Sequence, residues 1–158
     1  MYTKRKLFLI VVTALMCGIS VSAQDAGLNS RKPVTANQDL VIKIADITEN
    51  ALFYPVEIDG TRMEVLVVKA PNGTVRTAFN TCMVCYSSGR GYFVQAGTVL
   101  VCQNCGRRFR MNQVEVQTGG CNPVPIFPSD KTVTDTAITI TQDYLKKAKG
   151  LFAKWKKA

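Results

Sequence analysis

Residues Phe53 to Lys69 read FYPVEIDGTRMEVLVVK, and this stretch decides the fold class. Two apolar runs, Phe53–Ile58 and Met63–Lys69, flank Asp59-Gly60. A two-residue hairpin turn needs positive φ at both central positions, which Asp and Gly tolerate, so the stretch predicts a β-hairpin. Working outward, Leu40 to Ile44 reads as a short aliphatic strand. Pro71-Asn72-Gly73 turns the chain into another strand over Thr74 to Phe79. Tyr92 to Val94 pairs with Val99 to Val101 across Ala96-Gly97, and the alternation of Thr134 to Thr141 predicts a last strand. From about Gln142 an amphipathic helix closes the chain. The expected fold class is mostly β: a small single domain of hairpins with two CxxC knuckles and a short C-terminal amphipathic helix.

The start of the chain has the three parts of a secretory signal. Lys4, Arg5 and Lys6 are basic, Leu7 to about Ile19 is apolar, and Val21-Ser22-Ala23 offers small residues for cleavage after Ala23. The apolar run is shorter than the about 20 residues that a membrane-spanning helix needs. Met16 directly before Cys17 is a poor lipidation signal, so Cys17 is expected to leave with the signal. The expected organisation is a signal peptide at 1–23, a flexible polar tether at 24–38, a cysteine-rich domain at 39–152 and a basic tail at 153–158. The mature chain is expected to be exported, periplasmic or extracellular, with its basic end able to touch a membrane.

The chain carries 20 Lys+Arg against 11 Asp+Glu and no histidine. Setting aside Lys4, Arg5 and Lys6 leaves 17 basic residues, and the excess lies in the six lysines at 146, 147, 149, 154, 156 and 157. Residues 24–143 balance at 11 against 11. A broad nucleic-acid-binding face is therefore not indicated. On a helix, Tyr144, Leu145, Ala148, Leu151, Phe152 and Trp155 share about a third of the circumference. That face suits docking on the domain for the first two turns, with Gly150 as a break and the end from Ala153 as an anchor for an anionic membrane or acidic partner.

The chemistry lies in five cysteines: Cys82-Met-Val-Cys85, Cys102-Gln-Asn-Cys105-Gly106, and Gly119-Gly120-Cys121. Two intervening residues let a tight turn aim both sulfurs of a pair at one ion, and Gly106 lets the backbone fold beneath the second pair. Two such pairs point to a four-thiolate site over Cys82, Cys85, Cys102 and Cys105. Cys121 is the odd thiol, and its two glycines allow close approach of the backbone. Arg107, Arg108 and Arg110 form a basic cluster beside the second pair, weighed against a plain solvated strand. Gly89-Arg90-Gly91 has no following helix and reads as a turn rather than a phosphate loop.

With these motifs the chain resembles the FtrD-like domain family, described as membrane iron–sulfur proteins and associated with bacterial iron uptake. The resemblance rests on Tyr54-Pro55-Val56-Glu57-Ile58-Asp59-Gly60, Val67-Val68-Lys69, Val75-Arg76-Thr77-Ala78-Phe79, Cys82-x-x-Cys85-Tyr86, Gly91-Tyr92, Val101-Cys102-x-x-Cys105-Gly106-x-x-Phe109 and Gly119-Gly120-Cys121-Asn122-Pro123-x-Pro125. It runs from about Leu40 to Phe152. It implies that Cys82, Cys85, Cys102, Cys105 and Cys121 are metal ligands and that the partners are iron-transport membrane proteins.

The absence of histidine excludes Rieske centres, CxxCH haem attachment, His-ligated zinc hydrolases and His-based triads, so a binding or electron-transfer protein is expected over a catalyst. Thiolate sulfur suits zinc, a single iron or Cu(I). An iron–sulfur cluster ranks below these, because a chain exported unfolded would have to assemble it where thiols oxidise. Three functions stay open: an exported metal-binding or electron-transfer component of iron acquisition, a zinc-stapled structural or interaction domain, and a thiol–disulfide redox protein using a CxxC pair.

Overall fold

A computed structural model describes residues 38–157; the signal-like segment and nearly all of the polar tether lie outside the described residues. The Asp59-Gly60 hairpin is present as its sequence predicts. Strand β2 (Leu52–Ile58) pairs antiparallel with β3 (Thr61–Lys69). Asp59 and Gly60 between them have φ of 47° and 74°, the left-handed values that the turn requires. Strand β4 (Val75–Cys82) adds to β3, and the short β8 (Pro123–Pro125) adds to β4, giving a central antiparallel sheet in the order β2-β3-β4-β8.

Met63 to Val68 in β3 are all buried, because this sheet has a core on each face. Met63, Val65 and Val67 face a first core. It is covered by a small sheet of β1 (Leu40–Lys43), β9 (Thr132–Val133) and β10 (Ala137–Ile140), and by the helix α1 (Gln142–Ala148). Leu66 and Val68 face a second core with Phe93, Leu100 and Phe109. Those residues come from the third sheet, β5 (Phe93–Ala96), β6 (Val99–Cys102) and β7 (Arg108–Arg110). A strand flanked by two cores reads as a continuous apolar run, which explains the VLVV of residues 65–68. Among the described residues no helix is long and apolar enough to cross a membrane.

Several expected boundaries shift. The last strand is Ala137–Ile140 rather than Thr134 to Thr141, because Thr134 begins a turn. Its Oγ1 accepts from the Ala137 N–H at 3.1 Å, and its own N–H donates to the Ala137 carbonyl at 2.9 Å. The first strand stops at Lys43, where Ile44–Asp46 coils into a 3-10 turn. The strand expected over Thr74 to Phe79 runs on to Cys82. Thr141 caps α1, its side chain accepting from the Tyr144 N–H, and beyond Ala148 the helix tightens to a 3-10 turn over Lys149–Phe152.

The end from Ala153, expected as a basic anchor, has residues seated on the domain. Trp155 donates its indole N–H to the Asn80 carbonyl at 3.2 Å and stacks edge-on against Tyr92 and Phe152. The Lys156 N–H donates to the Gly89 carbonyl at 2.8 Å. Lys157 pairs with Glu64 at 2.6 Å, and its ammonium lies 4.5 Å from the centre of the Phe53 ring. Trp155→Ala is accordingly expected to lower stability by about 3 kcal/mol, the lower end for losing a large aromatic. The measurement is urea unfolding, in which the midpoint should fall with little change in slope.

Candidate metal centre

Strand ends deliver the thiols. Cys82 is the last residue of β4 and Cys102 the last of β6, so each CxxC begins where a strand runs out and its backbone is free to turn. The first knuckle closes with the Cys85 N–H directed at the Cys82 sulfur at 3.4 Å. In the second, the Gly106 N–H donates to the Cys102 carbonyl at 2.9 Å, with Gly106 at φ 72°. The two knuckles are stitched together by the Cys82 N–H to the Gly91 carbonyl at 2.6 Å and the Gln103 N–H to the Tyr92 carbonyl at 2.8 Å. Gly91 presses on the first knuckle so closely that a Cβ there would lie 2.6 Å from the Cys85 carbonyl carbon and oxygen. Gly89-Arg90-Gly91 is thus a turn that supports the knuckle.

Cys121 arrives by a different route. Cys82 is the β4 residue opposite Pro123 of β8, and this pairing sets the residue two places before Pro123 beside the first knuckle. Gly119 and Gly120 take φ of 83° and 76°, and the Met83 N–H donates to the Asn122 carbonyl at 3.0 Å. The Cys121 sulfur lies 3.2 Å from that of Cys82, 3.9 Å from that of Cys85 and 2.9 Å from that of Cys105.

All five predicted cysteines meet in one place. The sulfurs of Cys82, Cys85, Cys102 and Cys121 lie within 4.8 Å of one another, so Cys121 completes this group of four where the paired spacings suggest Cys105. Cys82, Cys85 and Cys102 are buried, Cys121 is half-buried, and Cys105 is exposed at the mouth. Burial pushes the thiols of Cys85, Cys102 and Cys121 up, Cys102 to about 12. Cys105 is drawn down to about 7 by the hydrogen bond from Cys121, helped by the Arg107 backbone N–H. Arg107, Arg108 and Arg110 are all exposed, consistent with a solvated edge.

One anchor was not legible in the sequence. Glu115, at φ 67° and buried, begins the loop to Cys121. Its carboxylate accepts from the Thr77 backbone N–H at 2.8 Å and from Lys131 Nζ at 2.6 Å. Lys131 is itself desolvated, which lowers its pKa against the pull of Glu115. A lone Glu in an otherwise acid-free stretch gives no sequence signal, because its partners come from β4 and from beyond β8.

The sequence model of the family described as "Membrane iron-sulfur containing protein FtrD-like" matches residues 47–152. No curated protein and no solved structure matches the chain.

Two outcomes are expected. In metal-free, reduced protein, iodoacetamide should label Cys105 first, because only the thiolate reacts and the other raised thiols stay protonated. Labelling should rise with pH, half-maximal near about 7, as read by peptide mass spectrometry across a pH series. Glu115→Gln leaves Lys131 buried and unpaired, so it should destabilise the fold by about 3 kcal/mol and speed metal loss to a chelator, while Lys69→Gln on the surface should do neither.

Proposed function

Because the chain belongs to the family of FtrD-like membrane iron-sulfur containing proteins, we propose that it is an exported protein that binds one metal ion through thiolates. We further infer that it serves bacterial iron acquisition as a metal-handling or electron-transfer component. The observation that carries the metal reading is the set of four sulfurs within 4.8 Å of one another. A single tetrahedral ion with sulfur at about 2.3 Å places its ligands about 3.8 Å apart. A [4Fe–4S] cluster puts each thiolate on a different iron and needs a wider spread, so the spacing favours one ion over such a cluster.

Cys82, Cys85, Cys102 and Cys121 would hold the ion, with Cys105 as a fifth thiol at the mouth. In such a site iron supplies a one-electron couple, whereas zinc supplies a structural cross-link. The chain's own contribution is to exclude water, since three of the four sulfurs are buried, and to direct the Cys85 N–H at the Cys82 sulfur. Each raised thiol must lose its proton to bind, so affinity should fall as pH falls. Export is supported by the basic, apolar and small-residue succession of residues 4–23, and the link to iron-transport membrane proteins by family membership.

A second reading has its own observation. The Cys105 and Cys121 sulfurs are 2.9 Å apart, and an exposed, low-pKa thiol beside a half-buried one suits thiol–disulfide exchange.

Elemental analysis and absorption spectra of protein purified without air separate these readings. One metal per chain without inorganic sulfide is expected, coloured if iron and colourless if zinc or Cu(I). Cys102→Ser and Cys121→Ser should lose most of the metal, and Cys105→Ser should keep most of it. Several irons with matching sulfide would overturn the single-ion reading. Metal-free protein with a Cys105–Cys121 disulfide would favour the second.

A further inference from the structure

The mouth of the cysteine centre has an unusual charge. Between Glu64 and Asp130 the sequence holds six cations, Lys69, Arg76, Arg90, Arg107, Arg108 and Arg110, and a single acid, Glu115. That acid is buried and paired with Lys131. Every element that carries a thiol lies within this stretch, so no exposed carboxylate comes from the loops of the mouth. The same loops expose apolar side chains: Val84 is 60% exposed, Tyr86 39% and Met83 38%, all from the first knuckle.

The C-terminal segment adds to this rim. The Lys156 N–H is bonded to the Gly89 carbonyl, and a Cβ on Gly89 would fall 2.0 Å from the Lys154 carbonyl oxygen. Glycine is thus required where the strap crosses the turn after the first knuckle. Lys154 and Lys156 are exposed there, while Lys157 is held by Glu64. The strap therefore carries two lysines from the far end of the sequence to a loop already bearing Arg90.

We propose that this mouth is a docking surface for an acidic protein, with Met83, Val84 and Tyr86 as its apolar centre and Arg90, Arg107, Lys154 and Lys156 as its basic rim. The proposal rests on the cysteine centre being the functional site. An apolar centre in a charged rim is the ordinary anatomy of a protein interface, and one-sign charge around it steers an opposite partner and suits a short-lived complex. A membrane is the weaker occupant. Interfacial anchoring takes a helix with its large apolar side chains turned outward, and here Phe152 and Trp155 of the strap pack on the first core.

The test is an NMR titration of the isotope-labelled protein, as isolated and with its metal content measured, against a poly-glutamate peptide of about 20 residues. Amide shifts are expected within residues 83–90, 103–107 and 154–156 and should fade as salt rises toward 0.5 M. The variant carrying R90E, R107E, K154E and K156E should bind at least tenfold more weakly with unchanged metal content. Shifts centred instead on Lys146 and Lys147, or no loss of binding in the variant, would overturn the proposal. So would binding to phosphatidylglycerol vesicles that competes with the peptide and exceeds it in affinity. Absence of metal with the expected shift map would instead count against the metal-binding function and leave the surface standing.

Discussion

Strand β4 is the constraint on which the other parts depend. One edge is held by β3 and the other by β8, and its side chains tie in every remaining layer. Asn80, fully buried, is the junction. Its amide nitrogen donates to Glu64 at 2.5 Å and to the Phe93 carbonyl at 3.2 Å, and its amide oxygen accepts from the Phe93 N–H at 2.7 Å. Its backbone carbonyl takes the indole N–H of Trp155. A buried amide with its donors and acceptor satisfied fixes one arrangement, because each unmade bond would leave a desolvated polar group. Through this one residue the central sheet, the cysteine-bearing sheet and the C-terminal strap share a register.

The same strand sets the cysteine centre. Cys82 ends it, Thr77 donates its backbone N–H to Glu115, and the pairing with β8 brings Cys121 alongside. The five sulfurs thus have two origins. Four come from local turns, each dictated by a CxxC spacing. The fifth comes from sheet pairing between residues about forty apart in the chain, locked by a buried ion pair. Local spacing decides that two sulfurs of one knuckle meet, and only tertiary register decides which sulfurs complete the site.

That division explains what could be read from the residues. The β2–β3 hairpin was legible because Asp-Gly between two apolar runs has few other solutions, and the five cysteines because their chemistry is conspicuous. Strands β7, β8 and β9 are two or three residues long, too short for a period to show. Pro123-Val124-Pro125 reads as a stiff connector, yet it forms an edge strand, a position that tolerates the missing N–H of proline. That Cys121 lies within 4.8 Å of Cys82, Cys85 and Cys102 follows from the β4–β8 register. Glu115 and Lys131 become partners only once β4 lies between them.

The two cores differ in kind, and this bears on how the centre can work. The first contains no cysteine and is built from aliphatic strands and the aromatic face of α1 and its 3-10 extension. The second includes Cys82, Cys85 and Cys102 among its buried members, with Cys121 at its edge. A change at the sulfurs, whether metal, proton or oxidation, therefore alters packing in one core while β3 stands on the other. β3 is shared between the two cores, so its backbone is packed from both faces. Four of the five sulfurs thus sit against packed apolar side chains, which shield them from water.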